Sequence, residues 1–331
     1  MNLLSRSTPR MRESDRGALP EDVAALARPV INGIPQGVLV RGRSVKNPAL
    51  LILHGGPGGA YIGCARSWFG CWEDQWVVLN WDMRGAGLSY SRMVDPSSLE
   101  PAQIARDALG VVEWSRQQFG LGRFYLLAHS FGTLVAPHVL HAAPNLFEGY
   151  VAVAPAPIDA EAEGESYQWT LARARERGNR RAIGELERIG SPPYRSSSGG
   201  LDVRARWTDA LGGAIEGTDG SRVAFRALRA GTEYTWGDLL LRFLPGVRFW
   251  MRNVDESFSR DAASERLLEL PVPTTVVQGT ADWMAPAAAS RRYFERIRAP
   301  RKSFVELANL GHYPFVEEPN RFARVLTSEL A

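Results

Sequence analysis

The sequence is poor in several residue types that whole classes of protein depend on. Among 331 residues there are only two lysines, two cysteines and five histidines. Two cysteines are too few for a disulfide framework or a zinc site, so we expect Cys64 and Cys71 to be reduced thiols in a cytoplasmic protein. No run approaches about 18 consecutive apolar residues, and the first residues lack the apolar stretch of a signal peptide. These absences exclude a transmembrane helix, and nothing in the sequence indicates a metal or another cofactor.

The basic residues are nearly all arginines, and they are mixed with acids. The chain has 39 Lys and Arg against 36 Asp and Glu, which leaves a net charge of only +3. Arginines are interleaved with acids, as at Arg173, Arg175 and Glu176, and do not form one basic face. Proteins that bind nucleic acids concentrate their positive charge. We therefore expect neither a nucleic acid nor a membrane as a partner.

Short apolar runs recur along the chain and alternate with helical patterns. Continuous apolar runs of this kind are typical of strands buried on both faces of a sheet. The predicted strands are residues 37–40, 51–54, 76–81, 124–128, 150–153, 275–278 and 304–307. The helical patterns between and after them cover residues 102–119, 131–143, 285–298 and 320–330. This alternation predicts an α/β fold with a mostly parallel sheet flanked by helices.

The alternation stops between residues 156 and 265. This stretch has helical patterns at 167–190, 201–213 and 235–252, with Pro-, Gly- and Ser-rich breaks between them. We predict one sheet core formed by residues 29–155 and 266–331, interrupted by a helical cap over 156–265. Residues 1–28 are expected to be a flexible lead, with a short helix possible at 21–28.

The segment Ala128-His129-Ser130-Phe131-Gly132 joins a predicted strand to a predicted helix. A serine flanked by small residues two positions away on each side, on such a turn, is the pattern of a nucleophile elbow. Ala128 replaces the first glycine of that pattern and is the least intrusive substitute. A serine that only caps a helix is the alternative, and this segment alone does not decide between the two.

A serine nucleophile needs a base, and elimination among the five histidines leaves His312. It follows the last predicted strand, at the end of a parallel sheet where such folds build their sites. Asp282 follows the preceding strand and is the predicted acid that orients the base, with Asp159 as runner-up. The chain order Ser130, Asp282, His312 is that of hydrolases with a nucleophile elbow.

A glycine-rich loop at residues 54–59, His-Gly-Gly-Pro-Gly-Gly, directly follows a predicted strand. Glycines allow backbone N–H groups to approach a developing negative charge closely. We assign the oxyanion donors to the N–H groups of Gly56 and Phe131, with Gly55 as the alternative to Gly56. The loop lacks the Lys-Ser/Thr ending of a phosphate-binding loop, so a nucleotide site is not expected.

These motifs together resemble the proline iminopeptidase (prolyl aminopeptidase) branch of the α/β-hydrolase superfamily. The loop at 54–59 is the specific element, and the segment at 81–89, the Ser130 elbow and His312 agree with it. The resemblance implies an α/β-hydrolase fold and a serine hydrolase that releases an N-terminal residue, often proline, from a peptide or aminoacyl amide. Asp82 and Arg84 match the family's turn and are interpreted as a structural ion pair.

The resemblance further implies acidic side chains that hold the free α-amine of the substrate. Many acids occur in the predicted cap, and Glu233 and Glu256 are our candidates. Trp283, directly after Asp282, is a third candidate for substrate binding. If no acid faces Ser130, the alternative function is an esterase, thioesterase or amidase of specialised metabolism on the same scaffold.

Overall fold

The computed structural model describes residues 6–8, 21–156, 160–194, 199–254, 257–262, 264 and 266–330. The described chain forms an eight-stranded sheet, a two-stranded ribbon, and helices on both faces of the sheet. The strands are β1 (Val23–Ala27), β2 (Val30–Ile31), β3 (Ile34–Pro35), β4 (Val38–Gly42), β5 (Ala49–Leu53), β6 (Val77–Trp81), β7 (Phe124–His129), β8 (Phe147–Val153), β9 (Thr274–Gly279) and β10 (Lys302–Leu307).

The helices fall into three groups along the chain. Those before β8 are α1 (Ala65–Phe69), α2 (Pro101–Phe119) and α3 (Gly132–Ala142). Between β8 and β9 lie α4 (Ala160–Glu176), α5 (Arg180–Ile189), α6 (Gly200–Ala210), α7 (Gly220–Ala230), α8 (Trp236–Asp238), α9 (Leu244–Asn253) and α10 (Ser257–Ala262). A π-helical turn, Leu239–Phe243, joins α8 to α9. The last group is α11 (Ala287–Arg296), α12 (Pro314–Glu317) and α13 (Pro319–Leu330). No helix in the described ranges is long and apolar enough to cross a membrane.

The large sheet has the order β1-β4-β6-β5-β7-β8-β9-β10. β4 pairs antiparallel with β1 and β6, and all pairs from β6 to β10 are parallel. Successive residues of β5 belong to opposite hydrophobic clusters, with Leu51 and Leu53 in one and Leu50 and Ile52 in the other. The sheet is therefore covered on both faces, which confirms the predicted mostly parallel α/β architecture.

The possible helix at residues 21–28 is wrong. Val23–Ala27 forms strand β1, which pairs with β4 so that Leu26 lies opposite Leu39. The small apolar residues of this segment fit a half-buried edge strand, and the pairing with β4 decides its conformation. Of the predicted flexible lead, only residues 6–8 and 21–28 are among the described residues.

After β8 the chain leaves the sheet, forms helices α4 to α10 and re-enters the sheet at β9. The strands β8 and β9 are nevertheless direct neighbours. Part of this stretch has its own small core, which includes Tyr167, Leu171, Leu186 and Leu211. The single helix predicted at 167–190 is instead two helices, because Gly178 adopts a left-handed φ of 61°. The sequence patterns predict neither α7 nor α10. For α7 a usable signal is Asp219, which accepts from the Arg222 N–H as an N-cap.

Candidate active site

Ser130 lies at the turn between β7 and α3 with a backbone φ of 50°. A non-glycine residue seldom adopts this left-handed region, whereas an N-cap serine is usually extended. The turn is tight, because a Cβ on Gly132 would clash with the carbonyl oxygen of Leu53 on β5. The side chain of Ser130 is half-buried. Ser130 therefore has the geometry of the predicted elbow, and the residue at the N-cap of α3 is Phe131.

Asp282 and His312 follow the neighbouring strands β9 and β10, and their side chains meet. Nδ1 of His312 lies 2.8 Å from Oδ2 of Asp282, and both residues are buried. Because the carboxylate can only accept, Nδ1 carries the proton and Nε2 keeps its lone pair. This is the tautomer in which an imidazole can take a proton from a hydroxyl.

The carboxylate of Asp282 is fully hydrogen-bonded. Its Oδ1 accepts from the N–H groups of Met284 and Ala285, both at 2.8 Å. Its Oδ2 also accepts from Nε2 of Gln278 at 3.1 Å, and Ser290 Oγ donates to the Gln278 amide oxygen at 2.5 Å. These donors offset the loss of hydration and fix the orientation of the carboxylate. The sequence analysis places Gln278 only in a predicted strand and not in the site, although a buried polar residue at the end of an apolar strand is a usable signal.

His129, next to Ser130, links the two loops that carry the other site residues. Its Nε2 donates to the carbonyl oxygen of His312 at 2.8 Å, so its Nδ1 accepts from the Tyr61 hydroxyl at 2.5 Å. The Tyr61 oxygen in turn accepts from the Gly55 N–H at 3.0 Å. Complete burial, with His312 nearby, holds the pKa of His129 well below its ordinary value, so the imidazole is neutral. The sequence patterns do not predict these hydrogen bonds of His129.

The predicted oxyanion donors can be tested against the hydrogen bonds around the glycine-rich loop. The loop lies beside the elbow, since a Cβ on Gly55 would come 3.2 Å from Cβ of Ser130. The Gly55 N–H is already bound to Tyr61, which argues against Gly55 as the donor. In the described part of the chain, neither the Gly56 N–H nor the Phe131 N–H has an acceptor. Both groups can therefore receive an external acceptor.

A loop between α6 and α7 is bonded to both of the loops that carry Asp282 and His312. The His312 N–H donates to the carbonyl oxygen of Ala214 at 2.7 Å, and the Trp283 N–H donates to that of Gly213 at 2.8 Å. The positions of His312 and Asp282 are thus tied to the helices between β8 and β9. A sequence pattern carries no sign of these backbone contacts.

Glu317 adds two hydrogen bonds to the connection between the loop that carries His312 and the loop between α6 and α7. One carboxylate oxygen accepts from the Gly311 N–H at 2.8 Å, and the other accepts from the Glu216 N–H at 3.1 Å. Burial raises the pKa of Glu317 to about 7, with the two N–H groups opposing that shift. The protonation state of Glu317, which joins these two loops, therefore changes near neutral pH.

The two predicted amine anchors have different outcomes. Glu233 is buried, and its carboxylate binds Arg66 Nε at 2.6 Å and the Thr232 N–H at 2.9 Å. Its carboxylate is therefore engaged in a buried ion pair, which argues against Glu233 as the residue that holds a substrate amine. Glu256 lies outside the described residues, as does Asp159, the runner-up acid.

Trp283 is half-buried and stacks on Trp169 from α4, with ring centroids 5.3 Å apart and planes at 10°. Other tryptophans of the helical stretch have structural roles. Trp250 is completely buried and donates to the carbonyl oxygen of Arg84, and Trp207 donates to Glu185. The Trp169–Trp283 pair is therefore a half-buried aromatic surface directly after Asp282 in the chain.

The ion pair expected between Asp82 and Arg84 is wrong. Arg84 binds Asp107 on α2 through two hydrogen bonds of 2.7 and 3.0 Å. Asp82 accepts from the Tyr234 hydroxyl at 2.5 Å and from the Leu88 N–H at 2.8 Å, while its burial raises its pKa to about 7. Both residues stabilise the turn after β6, as predicted, but through separate partners.

Comparison with known proteins agrees with this geometry. Residues 48–319 match the family model described as alpha/beta hydrolase fold. The chain is 30% identical over 312 residues to a probable aminopeptidase, YbaC, of Bacillus subtilis, covering 93% of this chain and 98% of the relative. It is 24% identical over 296 residues to a proline iminopeptidase of Lactobacillus delbrueckii subsp. lactis, covering 87% and 92%. The crystal structure of a proline iminopeptidase-related protein from Thermus thermophilus superimposes with a TM-score of 0.60 at 25% identity, covering 94% and 97%.

Proposed function

Because the chain belongs to the alpha/beta hydrolase family, we propose that it is a serine hydrolase that removes the N-terminal residue from a short peptide or aminoacyl amide. The observation that carries the proposal is the hydrogen bond between His312 and Asp282, formed beside an elbow that presents Ser130. The relatives named as an aminopeptidase and a proline iminopeptidase support the choice of substrate class.

The first half of the reaction forms an acyl-enzyme. Oγ of Ser130 attacks the substrate carbonyl carbon while Nε2 of His312 takes the hydroxyl proton. The oxyanion that forms is held by the N–H groups of Gly56 and Phe131, beside the N-terminus of α3. Asp282 stabilises the imidazolium that results. The carbon–nitrogen bond then breaks, and the leaving amine receives the proton from His312.

Water completes the cycle. His312 removes a proton from a water molecule, which attacks the ester carbonyl of acylated Ser130, and the same two N–H groups hold the second oxyanion. When this intermediate collapses, the Ser130 oxygen recovers its proton from His312 and the free amino acid leaves. No step requires a cofactor.

We assign the substrate's free amine to Glu256. Phe258, two residues further along, places its ring 5.0 Å from that of Phe131, the residue after Ser130. Trp283, stacked on Trp169, offers an aromatic surface for the N-terminal residue.

The test compares three classes of substrate: L-prolyl and L-alanyl anilides, their N-acetylated forms, and short acyl esters. We expect acetylation to reduce kcat/KM by about a hundredfold or more, because removing one partner of a buried charge pair costs about 2–5 kcal/mol. Glu256→Gln should raise KM for the free-amine substrates about tenfold and leave ester hydrolysis unchanged. Glu161→Gln, which changes an exposed acid of α4, is the control.

The alternative is an esterase, thioesterase or amidase that uses the same three residues without an amine anchor. The engagement of Glu233 with Arg66 favours it, since one of the two predicted anchors is occupied. Equal cleavage of acetylated and free-amine anilides, with Ser130→Ala inactive on both, would establish this alternative and remove the aminopeptidase assignment.

A further inference from the structure

A polar cavity lies at the end of β1, away from Ser130. It has a volume of about 290 Å³ and is lined in part by Arg6, Ser7, Thr8 and Arg28. β4, β6 and β5 separate β1 from β7, the strand that leads into Ser130. At about 4.8 Å per strand the separation is about 19 Å across the sheet, so this cavity is distinct from the candidate active site.

Positive charge is concentrated around this cavity. Arg6 and Arg242 both lie close enough to Arg28 to lower its pKa, in addition to the larger lowering caused by burial. In the described ranges, Asp238 is the carboxylate that opposes this lowering of the Arg28 pKa. Arg6 donates to Asp238 through Nε at 2.7 Å and through Nη2 at 2.5 Å. Arg242 Nε lies 3.5 Å from the same carboxylate, so two guanidinium groups pair with Asp238 while Arg28 lies nearby.

Arg28 has a donor without an acceptor. Its Nε is buried and, among the residues that the structure describes, has no hydrogen-bond partner. Buried polar groups in folded proteins are nearly always satisfied, and an unpaired one next to two further cations is unfavourable. Within residues 6–8, 21–156 and the later described ranges, no negatively charged group accepts from Arg28 Nε.

We propose that this cavity binds a small oxyanion, a phosphate or carboxylate group, through Arg28 with support from Arg6 and Arg242. A guanidinium presents parallel N–H groups that match two oxygens of such an anion. The hydroxyl groups of Ser7 and Thr8 border the same space. Thr8 Oγ1 accepts from Arg41 at 2.6 Å, and its O–H group can donate to a bound anion.

The bound anion would connect three parts of the chain. Arg28 follows β1, Arg6 belongs to the segment 6–8, and Arg242 lies in the π-helical turn before α9. The segment 6–8 is already attached to the helical stretch, since the Ser7 N–H donates to the Thr232 carbonyl at 3.0 Å. A ligand that binds only the folded state raises the unfolding temperature as its concentration increases.

The test is calorimetric titration of the full chain with inorganic phosphate, and separately with citrate, at constant ionic strength set with NaCl. We expect saturable 1:1 binding of at least one of the two, and their relative affinities distinguish a phosphate site from a carboxylate site. Arg28→Gln should weaken that binding at least tenfold, and Arg28→Lys by a smaller factor because it keeps the charge. Arg324→Gln, at an exposed arginine of α13, should bind as the wild type does.

Anilide hydrolysis provides the folding control, because all variants leave the Ser130 site unchanged and should retain its activity. If the wild type shows no saturable binding of either anion, the proposal is wrong. It is equally wrong if active Arg28→Gln and Arg28→Lys proteins both bind the anion as tightly as the wild type does.

Discussion

The imidazole of His129 donates to the backbone carbonyl of His312, across 183 positions of sequence and a distance of 2.8 Å. This bond connects the strand that ends beside Ser130, the proposed nucleophile, with the loop that carries His312, the proposed base. We therefore propose that His129 is a positioning residue, which acts through His312 and Tyr61 and not on the substrate.

Replacing His129 by phenylalanine keeps a ring in the buried space and removes both hydrogen bonds. We expect kcat to fall about ten- to a hundredfold with little change in KM, because a small displacement of a catalytic group has effects of this size. Steady-state kinetics on an anilide substrate measures kcat and KM separately and so shows which of them changes. His138→Gln, on α3, is the control and should leave kcat unchanged. An unchanged kcat in His129→Phe would contradict the positioning role.

The same variant tests the neutral state of His129. Since the folded pKa is lowered, the unfolded chain binds a proton that the folded chain does not, once the pH falls below about 6.5. The wild type should therefore lose stability relative to His129→Phe on acidification, by up to about 1.4 kcal/mol per pH unit. Urea unfolding of both proteins at pH 7.5, 6 and 5 measures this difference. A difference that does not vary with pH would mean that His129 can bind its proton in the folded state.

Gly132→Ala tests the close contact at the elbow. The added Cβ would overlap the carbonyl group of Leu53, so α3 must move away from β5. We expect a loss of about 1–3 kcal/mol in stability and a fall in kcat of at least tenfold. Gly184→Ala is the matched control, because a Cβ there meets no atom within 4 Å in the middle of α5. It should leave activity unchanged and stabilise by about 0.5–1 kcal/mol. Equal behaviour of the two variants would contradict the packing described for the elbow.

The pair formed by Arg84 and Asp107 predicts a large stability effect far from any reacting atom. Both side chains are buried, and Asn32 and Gln103 also donate to the Asp107 carboxylate. Asp107→Ala should cost about 3–5 kcal/mol, because it leaves the Arg84 charge buried and unpaired. Glu187→Ala, which breaks an exposed pair with an arginine, should cost less than about 1 kcal/mol. Chemical denaturation of both variants checks the contrast, and similar losses would refute it.

The sequence predicts well the strands, the turns and the site residues that depend on short, contiguous stretches of the chain. The strand predicted at 275–278 is observed as Thr274–Gly279, because an apolar run between turn residues has few alternatives inside a parallel sheet. The meeting of Asp282 with His312 follows from the same patterns, since both residues come directly after parallel neighbouring strands. The elbow motif places Ser130 on a strand-to-helix turn, and the φ at this residue agrees with it.

What the sequence could not predict depends on contacts between distant residues. Glu233 looks like an available acid in sequence, but its partner Arg66 lies 167 positions earlier. Arg84 and Asp82 are two positions apart and look like a natural pair, yet Arg84 binds Asp107 on α2 and Asp82 binds Tyr234 between α7 and α8. Residues 23–27 have no strong local preference, and only the pairing with β4 makes them a strand.

The most direct test of the central claim is covalent labelling of the nucleophile. A fluorophosphonate reacts with an activated serine hydroxyl, and mass spectrometry of the digested protein locates the adduct. We predict a single adduct on the peptide that contains Ser130, and no adduct in Ser130→Ala. An unlabelled wild-type protein, or a label on another serine, would contradict the assignment of Ser130 as the nucleophile.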